Sequence, residues 1–288
     1  MENVNVILDK LQIRSASTSK RLTEQEYEQR RADDYNASAG TLTGYDCEIC
    51  KNKGFIAHVV KNTCANFENY ECVVVPCKCQ RIRAAFKRLE RSGLKNAVKT
   101  LSFDTYQTME PWQRTLKETA MRFCKDEESN WLFIGGQSGA GKSHLCTAVA
   151  INYIRQGYEC HYMQWLNDAP RLKACVNDSM EYEKLIKPLK ESPVLYIDDM
   201  FKNGKDRQDN NEPPTPADVR IAFEILNYRY NRQDLITIIS SERTLAELIN
   251  IDEAIAGRIA EKSKNQGYCL NLKRDRAKNY RLRDLSEI

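Results

Sequence analysis

The sequence predicts an α/β protein: a parallel sheet of about five strands covered by helices on both faces, preceded by a small helical and cysteine-bearing N-terminal region. Three observations carry this. From about residue 101 onward, continuous apolar runs alternate with segments of helical spacing, the pattern of strands buried on both faces of a parallel sheet. A glycine-rich turn joins the first of those runs to the helical segment after it. Upstream, Asp46 to Arg83 contains Cys47, Cys50, Cys64, Cys72, Cys77 and Cys79 but few residues able to build a core.

In chain order, LTEQEYEQRRADDY is a helix, opened by a Thr23/Glu26 capping box and carrying acidic residues before basic ones, as the helix dipole favours. NASAGTLTG ends it and leads into the cysteine region. There GFIAHVV and ENYECVVV form a hairpin. RIRAAFKRLERSGL leaves as a helix with Ile82, Ala85, Phe86 and Leu89 on one face and Gly93 as its stop. A break near Lys99 to Phe103 divides residues 1–45 (helix and linker) and 46–100 (cysteine module and basic helix) from a domain over 101–288. In that domain WLFIGG, ECHYMQW, PVLYIDD, LITIISS and GYCLNL are the strands, and KSHLCTAVAINYIRQG and ADVRIAFEILNYRYNRQ are among the helices. KNGKDRQDNNEPPTP is a polar, proline-bearing loop expected to be mobile.

A chain of 288 residues can bury a sizeable core. No apolar run approaches the roughly 18 residues needed to span a bilayer, and MENVNVILDKLQIR lacks the basic-then-apolar order of a signal peptide. A cytoplasmic protein with no membrane partner is expected, in which the odd total of eleven cysteines argues against a disulfide framework. Net charge is only +4, yet its basic residues cluster. One run is Lys78, Arg81, Arg83, Lys87, Arg88, Arg91, Lys95 and Lys99; a second is Lys273, Arg274, Arg276, Lys278, Arg281 and Arg283. Such patches suit a polyanion, although solvated helix faces give the same pattern.

Gly136-Gln137-Ser138-Gly139-Ala140-Gly141-Lys142-Ser143 matches G-x-x-x-x-G-K-[ST] at every fixed position. Glycines let backbone N–H groups turn inward around phosphates at a helix N-terminus, where His144 follows. Lys142 then reaches the β- and γ-phosphates, and the Ser143 hydroxyl coordinates Mg²⁺. Val194-Leu195-Tyr196-Ile197-Asp198-Asp199 is a strand ending in carboxylates. Asp198 is expected to hold Mg²⁺ through water and Asp199 to orient or deprotonate the attacking water. No N-K-x-D guanine motif occurs, and there is no arginine-rich lid of a small-metabolite kinase. The strand LITIISSE ends in polar residues where a γ-phosphate sensor is expected, leaving Ser240, Ser241 and Glu242 as candidates, and EAIAGRIAE carries Arg258 on a helix.

FDTYQ, GGQSGAGKSHL, LYIDDM, IISSE, the AGRI segment and KNYRLR occur in the order found in DnaC/DnaI-type loaders of the replicative DNA helicase, which the chain resembles from about Ala37 onward. The cysteine pairs followed by the basic helix resemble the N-terminal modules of phage and Gram-positive members. The resemblance implies an AAA+ ATPase using ATP and Mg²⁺, binding single-stranded DNA, assembling with copies of itself and delivering a hexameric helicase. It also implies that Arg258 is an arginine finger and Arg281 a second sensor. Where many relatives end the sensor strand in asparagine, this chain has Glu242.

Cys47-Glu48-Ile49-Cys50 and Cys77-Lys78-Cys79 are two close pairs. Brought together by the hairpin, four thiolates complete a tetrahedron for Zn²⁺, which supplies folding free energy to a module with little core. His58, Cys64 or Cys72 can replace one ligand, since C-x-C is less diagnostic than a second C-x-x-C. A redox C-x-x-C would need a βαβ setting that is absent. Three functions follow: a helicase loader, an IstB-like transposition helper, and a nucleotide-switched DNA-binding adaptor with negligible turnover.

Overall fold

The computed structural model describes residues 22–64, 67–90, 100–203 and 212–280. By compactness the chain parts into two units, Met1–Gln80 and Arg81–Ile288, along a line inside the basic helix, ahead of the break expected near Lys99 to Phe103.

In the first unit, helix α1 (Glu24–Ala37) starts at the expected capping box: the Thr23 hydroxyl accepts from the Glu26 N–H at 3.2 Å, and the Glu26 carboxylate accepts from the Thr23 N–H at 2.8 Å. Strands β1 (Phe55–Cys64) and β2 (Phe67–Pro76) form the hairpin, in antiparallel register from Phe55↔Pro76 to Cys64↔Phe67. Two side chains tie α1 to it. Asn36 exchanges both amide hydrogen bonds with the Ala57 backbone (2.7 and 3.0 Å), and Glu28 accepts from the Cys72 N–H at 3.0 Å. Helix α2 (Cys79–Leu89) follows, with Ile82, Ala85 and Leu89 buried and Arg81, Lys87 and Arg88 exposed.

The second unit is built on a five-stranded parallel sheet: β3 (Trp131–Gly136), β4 (Cys160–Gln164), β5 (Val194–Asp198), β6 (Ile236–Ser241) and β7 (Cys269–Leu272), in spatial order β4-β5-β6-β3-β7. All five strands fall on apolar runs read from the sequence. Alternate residues face opposite sides. Trp131, Phe133, Leu195, Ile197 and Ile239 pack in one cluster with helices α5 (Trp165–Ala174), α6 (Ser179–Glu191), α7 (Pro216–Tyr230) and α9 (Glu253–Ser263). Leu132 and Ile134 are buried on the other face, where α4 (Lys142–Arg155) lies against the sheet and α3 (Pro111–Phe123) packs on α4. Short α8 (Leu245–Ile249) precedes α9. β6 thus lies between β3 and β5, with β7 outside β3.

One buried cation holds the far end of this sheet. Arg229 of α7 is fully buried. Its guanidinium donates to the carbonyls of Lys190 (3.0 Å), Ser192 (2.9 Å) and Ile236 (2.6 Å) and to the Thr237 hydroxyl (2.9 Å). It thereby satisfies last-turn carbonyls of α6 that have no intrahelical partner, and burial pulls it down to about 9.

Candidate nucleotide site and cysteine centre

Parallel register brings the motifs together. Ile134 and Gly135 of β3 lie level with Ser240 and Ser241 of β6, and Ile197 of β5 lies level with Ile239. The ends of three central strands therefore place Gly136, Asp198 and Ser240 at one edge, in front of the α4 N-terminus. Gly136 has φ 109° and passes so close to the Leu272 carbonyl that a Cβ would collide with it; at Gly139, with φ 71°, a Cβ would displace the Asn279 side-chain amide. The backbone collision admits only glycine at Gly136, and the positive φ favours it at Gly139.

Within this loop the Lys142 ammonium donates to the Gly136 and Gln137 carbonyls at 2.9 and 2.7 Å. Burial holds its pKa below the usual lysine value, against the pull of Asp199 and Glu242. The Ser143 hydroxyl donates to Asp198 Oδ1 at 2.9 Å. Asp198 also accepts from Ser240 Oγ (2.6 Å) and Tyr196 Oη (2.7 Å) on Oδ1 and from Tyr162 Oη (2.9 Å) on Oδ2. Hydroxyl and carboxylate oxygens side by side are the donor set a hard divalent cation takes, so Ser143 and Asp198 fit Mg²⁺. Beside them, burial raises Asp199 above the ordinary carboxylate range despite the Lys202 ammonium at 2.7 Å.

Of the three sensor candidates, Ser240 is buried and joins Asp198 to the Asp199 N–H, which donates to its hydroxyl at 2.9 Å. The Ser241 hydroxyl turns to the Met200 carbonyl at 2.8 Å and is absent from the cleft wall. Glu242 lines the cleft and accepts from Lys202 at 2.9 Å.

The loop opens on a cavity of about 330 Å³, walled also by Leu101, Thr105, Tyr106, Gln107 and Tyr280. His144 secures the segment before α3: its Nε2 lies 2.8 Å from the Ser102 carbonyl, which only accepts, so Nε2 carries the proton. Its ring meets Tyr106 edge-on at 5.2 Å. The Tyr106 hydroxyl is buried without a hydrogen-bond partner among the described residues, and burial pushes its pKa up to about 12. An orphaned buried donor at a cleft is what a bound ligand would satisfy. From the other side the Tyr280 N–H donates to the Gly139 carbonyl at 3.0 Å and its hydroxyl to Gln107 at 2.9 Å, while the Asp275 N–H donates to Gln137 Oε1 at 3.0 Å. Tyr106, Tyr162, Tyr196, Lys202 and Tyr280 were not assigned roles from sequence; FDTYQ, LYIDDM and KNYRLR, as segments of resemblance, contained three of them.

Arg258 does not line this cavity. It donates to the Ala254 carbonyl (2.9 Å) and Asn227 Oδ1 (2.8 Å) and stacks over Phe223 at 4.7 Å. Arg281 lies outside the described residues.

In the first unit, Cys47, Cys50, Cys77 and Cys79 are all buried, and their sulfurs lie within 4.8 Å of one another. Cys47 and Cys77 sulfurs are 3.8 Å apart, and those of Cys50 and Cys79 are 3.5 Å apart. A tetrahedral zinc with bonds of about 2.3 Å needs sulfur–sulfur edges of about 3.8 Å, so the four thiols fit Zn²⁺. Left-handed Lys51, Asn52 and Gly54 wrap the first pair so that the Gly54 N–H donates to Cys50 Sγ at 3.3 Å. Burial opposes ionisation of Cys50, but that N–H and the neighbouring thiols bring it down to about 7. His58 is exposed on β1 and Cys72 lies outside the cluster; the Cys64 side chain is outside the described set.

Residues 55–287 match the model of the IstB-like ATP-binding protein family. The chain belongs to that family. Among IstB-like relatives it is 32% identical over 228 residues to the phage-like element PBSX protein XkdC of Bacillus subtilis, covering 75% of this chain and 79% of that protein. It is 23% identical over 220 residues to the insertion sequence IS5376 putative ATP-binding protein of Geobacillus stearothermophilus, covering 76% and 80%. Among solved structures, the DnaC helicase loader is 26% identical with a TM-score of 0.45, covering 61% of this chain and 97% of that one. No described helix is long and apolar enough to cross a membrane.

Proposed function

We propose that this IstB-like chain hydrolyses ATP to load a replicative hexameric DNA helicase onto single-stranded DNA in the cytoplasm, acting as a homo-oligomer. The observation that carries the reading is the presence, in one chain, of a phosphate loop facing paired carboxylates and a separate unit that gathers four thiols. That combination resembles the phage and Gram-positive members of the DnaC/DnaI-type loaders.

In hydrolysis, loop N–H groups and Lys142 bind the β- and γ-phosphates. Ser143 and Asp198 would hold Mg²⁺, which neutralises charge on the phosphate oxygens when bound. Asp198 is oriented for this by the Tyr162, Tyr196 and Ser240 hydroxyls. Asp199, raised by burial toward a better base, takes the proton of the attacking water. Arg258 from a neighbouring copy would meet the γ-phosphate, and Cys47, Cys50, Cys77 and Cys79 would hold a structural Zn²⁺. Exposed Arg81, Lys87 and Arg88 of α2, with Lys273 and Arg274, supply cations for DNA phosphates.

The family model and the insertion-sequence relative favour a second reading, a transposition helper. The thiol-bearing unit supports the loader. Steady-state ATP hydrolysis, with and without single-stranded DNA, tests the enzymatic part. Turnover stimulated by DNA and abolished in Lys142→Ala is expected; wild-type turnover in Lys142→Ala would exclude this site. Copurification from cells of a helicase rather than a transposase separates the two readings.

A further inference from the structure

Beyond Asp198 the chain reverses in a turn that no motif announces. Asp199 has φ 54° and Phe201 has φ 62°. Left-handed backbone at non-glycine residues, one of them a bulky aromatic, persists only where the surroundings impose it. Three contacts do so here. The Asp199 N–H donates to the Ser240 hydroxyl at 2.9 Å, the Met200 N–H donates to the Ser240 carbonyl at 2.8 Å, and the Phe201 ring is buried edge-on against Trp165 at 5.1 Å. The turn closes with the Lys202 N–H on the Asp199 carbonyl at 2.9 Å, which sends the Lys202 side chain back into the nucleotide cavity.

There its ammonium bridges two carboxylates, Asp199 Oδ2 at 2.7 Å and Glu242 Oε1 at 2.9 Å. Glu242 occupies the strand end where a neutral phosphate-sensing side chain is expected. A lone carboxylate there would repel a γ-phosphate, and Asp199 would add to the repulsion. Lys202 offsets one of those two charges and, with Lys142, gives the cavity two ammonium groups against its two carboxylates. An ammonium has three donors, and the two carboxylates occupy two. A terminal phosphate carries about two negative charges against one on each carboxylate, so it competes effectively for the same cation.

We propose that Lys202 is the residue by which this site distinguishes a nucleoside triphosphate from a diphosphate: it bridges Asp199 and Glu242 before nucleotide binds, and a γ-phosphate draws it away. The exchange links the presence of a γ-phosphate to the freeing of Asp199 for the attacking water. This rests on the ATPase reading and extends it to a specific sensing group.

The test is equilibrium binding of ADP and of the non-hydrolysable triphosphate AMPPCP, each with Mg²⁺, to the full-length chain. Lys202→Met should weaken AMPPCP by about 10-fold or more, as expected for loss of a charge-assisted contact, while ADP changes by no more than about 2-fold. Lys202→Arg should retain most of the preference. Glu242→Gln should act in the opposite direction, tightening AMPPCP but not ADP, because it removes both a competitor for the ammonium and a repelling charge. Equal weakening of both nucleotides in Lys202→Met, or an unchanged triphosphate preference, would overturn the proposal while leaving the ATPase reading intact. A wild-type chain that binds neither nucleotide would overturn both.

Discussion

Removing metal from the thiol centre should unfold the first unit while leaving the second folded. Among the described residues of Met1–Gln80, the only buried apolar side chains besides the four cysteines are Ala32 and Ala57. At about 0.8 kcal/mol per buried carbon, two methyls contribute about 2 kcal/mol, and half-buried Tyr45 and Ile56 against the thiol cluster add a little more. A structural zinc in a small module contributes about 10–16 kcal/mol at neutral pH. The metal thus contributes several times what the fully buried apolar groups supply, with half-buried Val59, Val60, Val73 and Val75 of the hairpin adding to the latter. In the intact chain, metal analysis should find one zinc per chain. A strong chelator should abolish the cooperative melting of α1 and the hairpin and expose their amides to hydrogen exchange, with β3 to β7 still protected. Cys50→Ser should do the same without chelator. A metal-free chain whose α1 and hairpin amides stay protected would refute the reasoning, because α1, β1 and β2 would then be held by contacts too weak on this count.

Three further outcomes follow from the second unit. Arg229→Met should destabilise it by about 3 kcal/mol, because loss of three short carbonyl hydrogen bonds outweighs relief from burying the charge; that is a fall in Tm of about 6–12 °C, measured by calorimetry. Asp218, fully buried and capping α7, is pushed up by burial but held below the usual carboxylate range by the Lys173 ammonium at 2.8 Å and by Thr215. A depressed folded pKa contributes stability above the unfolded value of 3.8 and loses it as pH falls through the folded one. Asp218→Asn should therefore cost about 1–3 kcal/mol at neutral pH and flatten the acid limb of urea stability below about pH 4. Arg258→Ala should bind ATP normally but lose about 10³-fold in hydrolysis. Mixing it with Lys142→Ala should restore some turnover through one intact interface, and full ATPase activity in Arg258→Ala alone would remove it from the mechanism.

Much of this was legible in the residues themselves. The central strands β3 and β5 were legible as apolar runs buried along their whole length, because strands covered on both faces need no polar side, while the edge strands β4 and β7 carry His161, Gln164 and exposed Asn271. The phosphate loop and Asp198–Asp199 were legible because the chemistry fixes their spacing, and the cysteine pairs because a tetrahedron does. The walls of the cleft were not. Tyr106 and Tyr280 come to the loop from segments far apart in sequence, joined through His144–Ser102 and Tyr280–Gly139 contacts that carry no local periodicity. Lys202 depends on a left-handed turn held by Ser240 and by Phe201 against Trp165, a tertiary cause with no sequence signature. Arg229, within the helical pattern of α7, reads as a solvated surface residue. Its burial is decided by where the carbonyls of α6 end.

Helicase delivery is tested most directly on a circular single strand, which offers no end for a ring to thread. The full-length chain, the replicative helicase of the same cell, ATP and the circle are combined, and helicase retained on DNA after a high-salt wash is measured. Retention that requires the chain and ATP, and that is lost with Lys142→Ala, is the predicted result. Equal retention with and without the chain would contradict it.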